Sequence, residues 1–168
     1  EVIQEAHRAR FMENFWRETL DNTVECFGDA HPDVATSIIR LAGCLKQQLR
    51  YQAAELLVRE LLEKHREALT ALERGLEEAH YTLAVNLNCQ GKFLEAEEIG
   101  LATLERLFDE ADGAPAYHVC LFYQMLAHSL TGQGRDSEAE FYFRESQKIA
   151  LENGDNEDLL VAGGCVTI

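Results

Sequence analysis

The sequence predicts an all-α protein, a right-handed α-solenoid of antiparallel helix pairs. Three observations predict it: a pattern recurring every 42 to 43 residues, apolar residues at helical spacing, and glycines where helices must stop. Three segments superpose. The first is Leu41-Ala42 followed by Gln48-Leu49-Arg50-Tyr51-Gln52-Ala53-Ala54-Glu55. The second is Leu83-Ala84 followed by Gln90-Gly91-Lys92-Phe93-Leu94-Glu95-Ala96-Glu97. The third is Leu126-Ala127 followed by Gln133-Gly134-Arg135-Asp136-Ser137-Glu138-Ala139-Glu140. In each, the Leu-Ala pair precedes the Ala-Glu pair by 13 residues. Self-similarity at such a period marks stacked helical units, each too small to bury its apolar face alone.

The elements follow in order. Residues 1–27 read as the second helix of a partial repeat. Residues 33–75 form the first full repeat, with Val34, Ile38, Leu41 and Leu45 before its turn and Leu56, Leu57, Leu61 and Leu62 after it. Leu49 stands where the other turns have glycine. Residues 76–117 form the second repeat, with Leu83 and Leu87 before Gly91 and Ile99, Leu101, Leu104 and Leu107 after it. Residues 118–153 form the third, with Leu126 and Leu130 before Gly134. Gly91 and Gly134 suit a left-handed helix cap. Ala54, Ala96 and Ala139 open each second helix, where a small side chain lets helices approach closely. Residues 154–168 read as a tail or the start of a further helix, and Val166-Thr167-Ile168 also has the form of a strand-adding C-terminal ligand. The sum is at least seven helices and no sheet.

Charge and cysteine content narrow the function. The 168 residues carry 30 Asp+Glu against 15 Lys+Arg, a net of -15. Residues 1–75 hold 10 basic and 13 acidic side chains, residues 76–168 only 5 and 17, so the halves differ at -3 and -12. Such a field repels nucleic acid, whose recognition rests on neutralising phosphates, and an anionic membrane surface for the same reason. It favours a solvated surface or a basic partner. Cys26, Cys44, Cys89, Cys120 and Cys165 are odd in number, widely spaced and free of any CxxC, which points to a reducing, cytoplasmic compartment rather than a disulfide framework. Cys44 and Cys89, inside apolar helical runs, are expected as small buried hydrophobes.

The unit pattern Leu-Ala then Gln-Gly-Lys-Phe-x-Glu-Ala-Glu resembles the tetratricopeptide repeat. The 42-residue period, with Gly28-Asp29-Ala30-His31-Pro32-Asp33-Val34-Ala35 as an interhelix loop and helix entry, resembles the longer repeats of kinesin light chains. The likeness spans about residues 28 to 153, with Met12 to Phe27 as a trailing helix, although Leu76-Glu77-Glu78 and Ala114-Pro115-Ala116 depart from the His-Pro step. The resemblance implies a concave groove, lined by first helices, that binds a peptide or a partner helix. The implied groove residues are Thr36, Ile39, Arg40, Gly43 and Lys46; then Glu78, Tyr81, Thr82, Val85 and Asn88; then Leu121, Gln124, Met125, His128 and Thr131. Chaperone-binding members clamp a terminal carboxylate with Lys, Asn and Arg. The matching Thr36, Arg40, Glu78, Thr82, Leu121 and Met125 include one cation, so that clamp is not expected. Light chains prefer acidic peptides, which the -12 half opposes. A neutral or basic peptide with apolar anchors fits better, with Tyr81 and Met125 as anchors and Asn88 holding backbone.

Nothing in the sequence asks for catalysis, a metal or a cofactor. Glu77-x-x-His80 has the spacing of one half of a carboxylate-bridged di-metal site, but no second Glu-x-x-His completes it. His118 and Cys120, two apart, diverge around a helix, and no four-ligand zinc pattern occurs. His31, before proline in a turn, is expected to pack or hydrogen-bond. No phosphate loop or nucleophile elbow is present. Phe11, Phe15 and Trp16, and Phe141, Tyr142 and Phe143, are expected mainly as interhelix core, with at least one of each group facing outward because they include neighbours. Two functions remain: a non-catalytic scaffold or adaptor, and a regulatory segment of a larger signalling or motor protein that packs internally.

Overall fold

The computed structural model describes residues 2–109 and 114–153, with side chains described from His7 onward. Among these residues there are eight helices and no strand, as the periodicity predicts. They are α1 (Val2–Phe27), α2 (Pro32–Gln47), α3 (Tyr51–Lys64), α4 (Arg66–Thr70), α5 (Gly75–Cys89), α6 (Phe93–Phe108), α7 (Ala116–Gly132) and α8 (Asp136–Glu152). Residues 154–168, and with them the expected tail, lie outside the described residues.

The chain divides into two compact units, Glu1–Gln90 and Gly91–Ile168. In the first, α2 packs against α1, α3, α4 and α5, and α3 packs against α5. In the second, α7 packs against both α6 and α8. The recurrent Leu-Ala pairs are the core of these contacts: Leu41, Ala42, Leu83, Ala84, Leu126 and Ala127 are all buried. Each buried leucine contributes about 1.5–3 kcal/mol by leaving water. Ala54, Ala96 and Ala139 are buried too, and Ala139 packs with Ala127 and Leu130 of α7.

Local sequence explains the boundaries. Pro32 fits the first turn of α2, where the N–H it lacks would have no acceptor within the helix, and His31 Nδ1 accepts the N–H of Asp33 at 3.3 Å while its ring stacks on Phe27. His31 thus packs and caps, as expected. At the other end Leu49 adopts φ 60°, the conformation of Gly91 (76°) and Gly134 (75°). Arg50 N–H then donates to Leu45 O, and Leu49 N–H to Lys46 O. Arg135 and Gly134 repeat the arrangement on Leu130 O and Thr131 O. A leucine therefore makes the glycine turn.

The structure also departs from the reading. The second helix of the first repeat breaks at His65, and α4 follows, burying Ala68 and Leu69. Arg74 at φ 66° then turns the chain into α5, where a Cβ on Gly75 would stand 2.5 Å from Leu69 O. That close approach takes the place of the His-Pro step. Leu56 and Leu101 face solvent, because successive residues lie 100° apart and each follows a buried position, Glu55 or Gly100. Cys89, expected buried, is exposed at the end of α5, whereas Cys44 is buried. Phe11 and Phe15 are exposed rather than core, whereas Phe141 is the outward-facing member expected of its group, beside half-buried Tyr142 and Phe143.

Candidate functional site

Three buried or half-buried carboxylates recur at the repeat period, and each is held by the turn that follows it by some 35 residues. Gln48 Nε2 donates to Glu13 Oε2 at 2.8 Å, and Arg50 Nη1 donates to both Glu13 oxygens at 3.0 and 3.1 Å. Gln90 Nε2 donates to Glu55 Oε2 at 2.7 Å. Gln133 Nε2 donates to Glu97 Oε2 at 2.7 Å, and Arg135 Nη1 to both Glu97 oxygens at 2.7 and 2.8 Å. Lys92 stands at the sequence position of Arg50 and Arg135. In every case the glutamine is the C-cap of the preceding helix, so the Schellman-type turn aims its side chain at the neighbouring helix.

Burying a carboxylate is costly unless its oxygens are satisfied. At Glu13, burial raises the carboxyl's pKa, but the hydrogen bonds from Gln48, Arg17 and Arg50 outweigh it and hold the group below its ordinary value. Asn86 sits beside the second clasp: it is fully buried, its Nδ2 donates to Thr82 O, and its backbone oxygen accepts from Gln90 Nε2. These residues were not singled out as a site from sequence. The signal was present, since Gln and Glu occupy fixed positions in all three aligned segments, but the bonds join different repeats.

The groove residues expected from the family resemblance lie on α2, α5 and α7. On α2, Thr36, Ile39, Gly43 and Lys46 are half-buried and Arg40 is exposed; Thr36 Oγ1 donates to Pro32 O. On α5, Tyr81, Thr82, Val85 and Asn88 are half-buried and Glu78 is exposed, with Thr82 Oγ1 donating to Glu78 O. Because α2 and α5 pack together in the first unit, these two sets are brought onto one body.

On α7, in the second unit, the reading needs correction. Met125, expected as an exposed anchor, is 2% exposed, its Cε lying against Gly100 of α6. His128 meets the Phe143 ring edge-on at 5.4 Å, within the α7–α8 interface, and burial lowers its pKa. Gln124 is half-buried and donates to Cys120 Sγ at 3.5 Å, Leu121 is half-buried, and Thr131 is exposed. The clustering of apolar residues on α7 reflects contact with helices on both sides.

Glu77 of the Glu-x-x-His pair is buried and lies 3.9 Å from Arg74 across the α5 entry turn. Among the described residues no group of three His, Cys, Asp or Glu side chains converges as a metal site, and none of the helices is long and apolar enough to cross a membrane.

In comparison with known proteins, no family model matches the chain and no curated protein matches it significantly.

Proposed function

We propose that the chain is a tetratricopeptide-like helical scaffold that binds a peptide or partner helix through the first helices of its repeats, without catalysis. The observation that carries this reading is the recurrence of one Gln-to-Glu clasp at the repeat period, because the same contact made at equivalent positions is what repeated helical units share. Linear arrays expose extended helix faces suited to recognition.

The binding face assigned here is that of α2 and α5. Tyr81 is a large, rigid side chain with a polar tip, and Asn88 carries both a donor and an acceptor, the combination that an extended backbone matches. Glu78, exposed beside them, favours a ligand bearing Lys or Arg, and the acidity of the chain acts in the same direction. The ligand is therefore a neutral or basic protein segment with an apolar anchor.

The test is capture of a partner by the intact protein, followed by titration against Tyr81→Ala, Asn88→Ala and Glu78→Lys. Tyr81→Ala and Asn88→Ala should each weaken binding by roughly 1–2 kcal/mol, and Glu78→Lys should also reduce the salt dependence. Folded variants that all bind like wild type would rule this face out.

A further inference from the structure

The three clasps define a position that recurs once more. Glu140 lies 43 residues after Glu97 and follows Ala139 as Glu97 follows Ala96 and Glu55 follows Ala54. The side chains of Glu13, Glu55 and Glu97 are 10%, 9% and 13% exposed. That of Glu140 is 61% exposed, and among the described residues it bonds Arg144, one turn further on.

The difference lies in what covers the helix. α1 packs against α2, α3 against α5 and α6 against α7, and in each pair the second helix ends in the clasping glutamine. No described helix follows α8. The surface left around Glu140 is a recess of about 380 Å³ bordered by Thr131, Asp136, Ala139, Phe143, Arg144 and Gln147. The residues equivalent to Phe143 are Trp16, Val58 and Gly100; Val58 and Gly100 are buried, and Trp16, like Phe143, is half-buried. This face is thus continuous in sequence and chemistry with three that are occupied.

We propose that the Glu140 face of α8 docks one additional helix, whose chemistry the occupied sites define: an amphipathic helix with a capping glutamine at its C-terminus and Arg or Lys two residues beyond. The glutamine amide and the cation would hold the Glu140 carboxylate, while the apolar face covers the part of Phe143 that α7 leaves open. A folded second copy of the chain does not supply this helix, because Gln48, Gln90 and Gln133 are already engaged. Residues 154–168 contain no Gln, Lys or Arg, the side chains that the clasp requires.

The test uses the intact protein and a fluorescein-labelled synthetic peptide of residues 32–50, which ends in Gln48-Leu49-Arg50, followed by anisotropy. The peptide should bind, Glu140→Lys should weaken it roughly tenfold or more, and so should replacing both Gln48 and Arg50 of the peptide by alanine. Hydrogen exchange should slow across residues 139–147 on binding. Tyr81→Ala, on the α2–α5 face, should leave this binding unchanged, which separates the two surfaces. Absence of binding, or binding that Glu140→Lys does not weaken in a folded protein, would overturn the proposal.

Discussion

Leu49 holds a left-handed backbone conformation that glycine adopts without penalty, and its side chain is 72% exposed. Its Cβ crowds the following carbonyl, at a cost of roughly 1–2 kcal/mol. Glycine would relieve that strain but would also enlarge the unfolded ensemble, which offsets part of the gain. Leu49→Gly should therefore stabilise the protein by about 0.5–1 kcal/mol, measured as a raised urea midpoint with an unchanged slope. A lowered midpoint would mean that the leucine side chain contributes packing the turn depends on.

At the scale of elements, the alanines opening α3, α6 and α8 set how closely helices approach. Ala96 is fully buried at the start of α6. Ala96→Phe should overpack that site and cost about 1–3 kcal/mol, read from chemical denaturation. An unchanged midpoint would show that the site has room and that the repeat frame is displaced. The helix turns and the Leu-Ala faces were legible in the sequence because they depend on residues within one helical turn of each other. The break at His65 was not. It follows from the burial of Ala68 and Leu69 and the close fit of Gly75 on Leu69 O, which no local pattern announces.

For the whole molecule, Glu13 and His128 are two groups shielded from solvent that link stability to acid. Glu13 titrates below its ordinary value when folded, so its contribution is full at neutral pH and is lost as pH falls through the folded value. His128, lowered by burial, favours the neutral ring, so its contribution is present above the ordinary imidazole value of 6.5 and declines as pH falls below it. Stability should thus decrease from pH 7 toward pH 3. His128→Phe should flatten the upper part of that decline and Glu13→Gln the lower part, measured by denaturation at each pH. Curves parallel to wild type would remove both groups from the account.

What the sequence by itself determined is the helical class, the turns and the repeat period, because these arise from spacings within a few residues and from the backbone preferences of glycine, proline and alanine. The buried faces of Leu41, Leu83 and Leu126 belong to the same class of local information. The clasps on Glu13, Glu55 and Glu97, the burial of Met125 and the open face at Glu140 were decided only by tertiary structure. A carboxylate's partners and an apolar residue's exposure depend on which other helix lies against it. That neighbour is set some 35 residues away, by how the chain folds back.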